Sequence, residues 1–150
     1  NLALVSDAGT PGISDPGNKL VQEVIKSLSG LVEVLPIPGP SAVTAAASIS
    51  GFPVDRFLFL GFPPLKNKRK KFFEEILNSK YPVIFYESPY RIIKTLGELS
   101  SLLGERGIVV CRELTKKFET IYRGNIEKVI KEIEGGEIRG EFTVVIEGKE

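Results

Sequence analysis

Four loops in this chain of 150 residues combine glycine, proline, acid and hydroxyl in ways suited to a small polar ligand. The densest is Ser6-Asp7-Ala8-Gly9-Thr10-Pro11-Gly12-Ile13-Ser14-Asp15-Pro16-Gly17, which follows an apolar run and precedes a helical pattern. Gly9, Gly12 and Gly17 let the backbone take positive φ and approach a ligand closely. In open α/β sheets, ligands sit outside the carboxyl ends of strands. Asp7 is a short acceptor suited to an amine or a ribose hydroxyl. The plain alternative is a tight turn in which Asp15 caps the helix. Position favours ligand contact for Asp7 to Thr10 and capping for Asp15 and Pro16.

The second loop, Pro36-Ile37-Pro38-Gly39-Pro40-Ser41-Ala42, again lies between a strand-like run and a helix. A helix N-terminus offers free N–H groups to a carboxylate or phosphate. Ordinary capping by Ser41 explains the residues equally well. The third, Tyr86-Glu87-Ser88-Pro89-Tyr90-Arg91, pairs a carboxylate with a cation: Glu87 can accept a proton and Arg91 can hold a phosphate. Here Ser88 as a cap, with Glu87 at the favourable helix end, is the bland reading. The fourth, Arg112-Glu113-Leu114-Thr115-Lys116-Lys117, suits an anionic polymer or is a solvated turn. Lys66-Asn67-Lys68-Arg69-Lys70-Lys71 reads as a solvated helix face; Phe72 and Phe73 behind it belong to the core. Neither GxxxxGK[ST] nor GxGxxG occurs. The loops alone give a cleft for a small polar ligand and no named reaction.

Composition narrows the chemistry. There is no histidine, so Ser-His, Cys-His and His-ligated metal chemistry are excluded. The single cysteine, Cys111, forms no internal disulfide and lies in a strand pattern, packed and inert. No run of 18 apolar residues and no signal peptide is visible. Residues 1–60 carry a net charge of −2 and residues 61–150 a net charge of +3. The chain contains no methionine and opens in an apolar run, which predicts a piece of a longer protein.

The elements that position these loops follow from periodicity. Leu2–Ser6 and Leu31–Leu35 read as buried strands, with a helix from Asp15 to Gly30 between them. Ser41–Ser50 reads as a helix of small residues. That order is half of a doubly wound parallel sheet. After a boundary near 51–55 come a strand at 56–60, a helix at 66–79 and a strand at 83–86. A helix started by Ser88-Pro89 buries Ile92, Ile93, Leu96 and Leu99. Strands at 108–111 and 118–122, a helix capped by Asn125 and a strand at 142–146 complete an α/β layer with some antiparallel pairing.

Taken together, LVSDAGTPGISDPG (4–17), PIPGPSAVTAAASISGFPVDRFLFLGFPP (36–64), VIFYESPYRI (83–92), CRELTKKFET (111–120) and GEFTVVIEG (140–148) resemble the ribosomal RNA small-subunit methyltransferase I family, within the tetrapyrrole methylase-like superfamily. The resemblance covers essentially the whole chain. Sister enzymes that methylate tetrapyrroles or diphthine precursors share the fold, carry a shorter first loop and lack the RELTK-type stretch. The resemblance implies transfer of a methyl group from S-adenosylmethionine to a cytidine ribose 2′-hydroxyl in small-subunit rRNA. It implies two α/β domains with the cofactor between them, the first (1–52) only partly present and the second at 53–150. It implies a cytoplasmic, commonly dimeric protein; the sequence itself, with no cluster of metal ligands, predicts metal independence. By resemblance Ser6, Asp7, Ala8, Gly9, Thr10, Ser41, Ala42, Tyr86, Glu87 and Thr143 contact the cofactor. Lys68, Arg69, Lys70, Arg91, Arg112, Lys116 and Lys117 face RNA. Glu87 as base and Arg112 as electrostatic partner are the catalytic candidates. Members open with a strand and a Pro-Ile-Gly-Asn loop ahead of the SDAGTP stretch, and that opening is absent here. Methylation of a tetrapyrrole or another small acceptor, and a non-catalytic RNA-binding fragment, are the alternatives.

Overall fold

The computed structural model describes residues 2–149, which divide into two compact units at Ser41/Ala42. The second unit includes the small-residue helix, which packs on its sheet. No helix among the described residues is long and apolar enough to cross a membrane.

Among its described residues the first unit contains one regular element, helix α1 (Asn18–Ser27). The strands expected at Leu2–Ser6 and Leu31–Leu35 do not form; both segments are irregular, and their Leu and Val side chains are exposed. A strand is stable only when a neighbour takes its backbone N–H and C=O groups. No such partner exists among the described residues, so the half-sheet is not built. Asp15 does not cap α1 either. The helix starts three residues later, after Gly17 at φ 135°. A Cβ there would stand 2.6 Å from Leu4 Cδ2, so this turn requires glycine on both counts.

The second unit is a mixed five-stranded sheet in the order β1-β2-β5-β3-β4. Its strands are β1 (Leu58–Phe59), β2 (Val83–Glu87), β3 (Ile108–Arg112), β4 (Thr120–Gly124) and β5 (Phe142–Ile146). Only β1 and β2 run parallel; β5 pairs antiparallel with both β2 and β3, and β3 with β4. The three central strands are rich in Val, Ile and Phe, and all but Tyr86 of their fifteen residues are buried, as strands covered on both faces require. Helices α3 (Arg69–Asn78), α4 (Ile92–Leu103) and α5 (Ile126–Glu134) cover one face. Phe72, Phe73, Ile76, Leu96, Leu99 and Val129 pack there against Phe85, Val110 and Val144. Helix α2 (Ala42–Ser50) covers the other through Val43, Ala46 and Ala47, which meet Ile84, Val109, Cys111 and Val145. Its alanines permit close approach to the strands. Asn125 caps α5 as expected, its side chain accepting the Lys128 N–H at 2.9 Å. Ser88 does not cap α4 with its hydroxyl. A turn over 88–91 intervenes, and the Ser88 carbonyl takes the Ile92 N–H at 3.0 Å.

Candidate functional site

In the first unit the two glycine–proline loops meet. Thr10 Oγ1 donates to the Pro40 carbonyl at 3.3 Å. The Ser6 hydroxyl donates to the Ala8 and Gly9 carbonyls, each at 3.4 Å, and so curls the first loop on itself. Gly9 sits at φ 74°, a conformation that strains other residues, and a Cβ there would find only the Pro40 carbonyl oxygen at 3.8 Å. The loop thus turns sharply while leaving open space above it. Asp7 and Ala8 are exposed at its tip. The Thr10 carbonyl accepts the Ile13 N–H at 3.3 Å, so the loop is a closed turn that carries one exposed carboxylate at its tip. Ser41 closes the unit beside Pro40.

In the second unit, one end of the sheet gathers the remaining candidates. Register places Tyr86, Thr143, Cys111 and Ile121 in one row across β2, β5, β3 and β4, on the α2 face. The next row is Glu87, Phe142, Arg112 and Thr120, on the opposite face by the pleat. Tyr86 packs edge-on against Phe59 at 5.0 Å and tilted against Phe62 at 5.5 Å. Thr143 is buried beside it, and Ala42 opens α2 on the same face. Cys111 is fully buried in this row, and that burial pushes its thiol up to about 11.

Glu87 departs from its expected role. Its side chain is fully buried, and both carboxylate oxygens are committed. Oε1 accepts the Ser88 N–H at 2.8 Å and pairs with Arg91 Nη2 at 2.9 Å. Oε2 accepts the Thr95 hydroxyl at 2.7 Å. Thr95 in turn accepts Arg69 Nη2 at 2.9 Å, and Arg69 Nε pairs with Glu98 at 2.8 Å. The two arginines then reach out to a loop: Arg91 Nη1 donates to the Pro63 carbonyl and Arg69 Nη1 to the Pro64 carbonyl, each at 3.1 Å. Glu87 is therefore the hub of a brace that ties β2 and α4 to the Phe62-Pro63-Pro64 turn. Both oxygens of the buried Glu87 carboxylate, expected from the sequence as base and cofactor contact, are thus engaged within the protein itself.

Arg112, expected from the sequence as electrostatic partner and RNA contact, is engaged in the same way. It is buried, and its guanidinium is spent on the Arg139 carbonyl at 2.7 Å, the Phe118 carbonyl at 3.1 Å and the Glu137 carboxylate at 3.1 Å. It fixes the loops flanking β3 and β5. Arg69 and Arg91 are likewise internal braces. Lys68, Lys70, Lys116 and Lys117 are the exposed members of the basic set. Lys116 Nζ bridges Glu113 at 3.1 Å and Glu141 at 2.8 Å. The Glu141 N–H, with Lys116 behind it, holds the Glu113 carboxyl below the usual range. Hydrogen bonding to Glu141 holds Lys116 above its own usual value. The RELTK loop is thus a pinned turn, with Glu113 and Thr115 at positive φ. Thr95 and Glu98 were missed on sequence. Their one signal is that both sit on the face of α4 that meets α3, where a hydroxyl and an acid need partners.

The fold and loop set define a methylase-type α/β protein: the chain belongs to the tetrapyrrole (corrin/porphyrin) methylase family, whose profile matches residues 1–130. The solved methyltransferase CobJ superposes with a TM-score of 0.66 at 20% identity, over 93% of this chain and 62% of that one. That likeness speaks for the fold. In sequence the chain is 44% identical to the ribosomal RNA small subunit methyltransferase I of Halalkalibacterium halodurans, over 98% of its own length and 50% of that protein. It is 40% identical to the protein of the same name from Thermotoga maritima, over 99% of its length and 66% of that protein. The chain thus spans about half to two-thirds of the curated relatives it matches.

Proposed function

We propose that this chain is part of an S-adenosylmethionine-dependent methyltransferase that methylates the 2′-hydroxyl of a cytidine ribose in small-subunit ribosomal RNA. The observation that carries this is identity of 40–46% over nearly the whole chain to relatives bearing that rRNA methyltransferase name. Residues 1–52 are assigned to an N-terminal cofactor-binding domain and residues 53–150 to a C-terminal α/β domain, with the cofactor between them. The whole protein acts in the cytoplasm as a homodimer.

S-adenosylmethionine supplies a methyl group already activated by its sulfonium. The chain's own residues bind and align. Alignment is the larger part of such a transfer, since holding reactants in near-attack geometry removes most of the entropic barrier. Asp7 to Thr10, with Ser6 shaping their turn, and Ser41 offer backbone groups and one carboxylate; Ala42, Tyr86 and Thr143 offer a small-residue and aromatic wall. Glu87 and Arg112 act as positioning residues, holding the loops at the sheet end. Lys68, Lys70, Lys116 and Lys117 meet phosphates, an attraction that weakens with salt.

The test is methyl transfer by the full-length protein from labelled S-adenosylmethionine to isolated small subunits. The expected product carries an alkali-resistant 2′-O-methylcytidine. Label on a porphyrinoid acceptor, or none on the subunit, overturns the reading.

A further inference from the structure

We propose that Tyr90 and Phe118 are base-stacking platforms for a single-stranded segment of RNA, set on rigid loops at one end of the second unit's sheet. The inference rests on the RNA reading above and adds two residues to it. Both rings stand in water: Tyr90 is 96% exposed and Phe118 61%. Single exposed aromatics are common and need no explanation. These two share a setting. The loop bearing Tyr90 leaves β2 after Glu87, and the loop bearing Phe118 leaves β3 after Arg112; both strand ends pair with Phe142 of β5. The loops therefore rise from one sheet edge two strand spacings apart, about 10 Å.

Each loop is fixed from below by an arginine, Arg112 buried and Arg91 half-buried. Arg112 holds the Phe118 carbonyl at 3.1 Å, and Lys117 Nζ lies 5.5 Å from the Phe118 ring centre. Arg91 folds back onto Glu87 at 2.9 Å and its N–H closes the turn on the Ser88 carbonyl at 3.1 Å, so Tyr90 projects from a closed turn. A loop whose backbone is already fixed spends little further ordering entropy when a flat partner stacks on the ring it carries. The cations complete the pattern. The loop after β1 leaves from the same end, because β1 runs parallel to β2, and it leads into Lys66, Lys68 and Lys70, all exposed. Aromatic rings for bases beside exposed lysines for phosphates are the two components of single-strand recognition. A folded duplex offers no free base faces to such rings.

The experiment uses the 150-residue chain and a fluorescein-labelled unstructured oligocytidine RNA, titrated at several salt concentrations, with a hairpin RNA as control. Phe118→Ala and Tyr90→Ala are each expected to weaken binding about five- to a hundredfold, with the salt slope unchanged. Phe118→Tyr and Tyr90→Phe keep the ring and are expected to bind as the parent does. Lys117→Gln is expected to lower the slope of log affinity against log salt by about 0.7. No binding of the oligonucleotide by the parent chain overturns the proposal. So does equal binding by the alanine variants, or loss that is the same on the hairpin. Sedimentation of the parent as a dimer that the alanine variants dissociate, without change in RNA affinity, assigns the face to a second copy and also overturns it. Methyl transfer by the full-length protein is measured in parallel. Transfer to small subunits with no effect of either alanine variant defeats the stacking alone, whereas stacking losses without any transfer defeat the methyltransferase reading alone.

Discussion

Thr95→Val removes one hydroxyl from the middle of the Glu87 brace and little else. The residue is fully buried, and valine keeps its volume and its β-branch. The lost hydroxyl donates to Glu87 Oε2 at 2.7 Å and accepts Arg69 Nη2 at 2.9 Å. Hydrogen bonds to charged groups contribute about 1.5–3 kcal/mol each, and a buried charged acceptor stripped of its donor is the costly case. Arg69 keeps Glu98 and the Pro64 carbonyl, so most of the loss falls on the buried carboxylate. The expected destabilisation is about 2–4 kcal/mol. With a urea dependence of about 2 kcal/mol per molar, the unfolding midpoint falls by roughly 1–2 M. Circular dichroism during urea titration reads this directly. Thr95→Ser retains the hydroxyl and is expected to lose about 1 kcal/mol, from its missing methyl. In a Glu87→Gln background the Thr95→Val step is expected to cost less, because the acceptor no longer carries charge. A Thr95→Val midpoint within about 0.2 M of the parent, under roughly 0.5 kcal/mol, would refute the brace as a stabilising unit.

The Cys111 thiol, buried and shifted to about 11, is expected to resist iodoacetamide in the native chain at pH 8 and to react fully in urea; rapid native labelling would contradict its burial. Glu113 is held below its ordinary value of 4.5, so its contribution is complete above that pH and is lost as pH falls through the lowered folded value. Lys116 is held above 10.5, so its contribution is complete below that pH and is lost as pH rises through the raised value. The stability difference between the parent and Glu113→Gln is therefore expected to be flat near neutral pH and to shrink on acidification below about 4.5, read from urea midpoints against pH. Hydrogen exchange is expected to separate the two units: amides of β2, β3 and β5 exchange slowest, whereas 2–16 and 29–41, with few backbone partners, exchange within the dead time.

The second unit was largely legible. Its strands at 83–87, 108–112 and 142–146 are short apolar runs bounded by turn residues, and its helices have apolar stripes at helical spacing, so pattern and tertiary context agree. The first unit was misread at its strands because periodicity reports the propensity to pair, and pairing needs an edge. Leu4, Val5, Val32 and Val34 have the residue types of a strand and no strand to pair with among the described residues. At the site, the loops and their glycines were visible in the sequence, whereas the roles of the ionised residues were not. A glutamate at a strand end beside an arginine has the same letters whether it faces substrate or a helix interior. The pleat decides: Tyr86 and Thr143 share the α2 face, so Glu87, one residue on, points to the α3–α5 face and into the brace.

The same sorting runs through the basic residues. Arg69, Arg91 and Arg112 each place a planar, permanently charged fork against a carboxylate and a backbone carbonyl, a geometry that a lysine ammonium does not reproduce. All three carbonyls lie in loops at one end of the sheet. Lys68, Lys70 and Lys117 stand exposed over those loops, where a compact, hydrated charge on a flexible stem suits a phosphate chain of varying geometry. Arginine inside and lysine outside therefore divides rigidity from contact. The arginines hold the loops in shape without a ligand, and the lysines and the rings of Tyr90 and Phe118 remain available to one. A chain whose exposed loops are already fixed spends little ordering entropy on binding. The ionic network thus ties the loops above the sheet to its end, where the segments bearing the rings and the lysines leave.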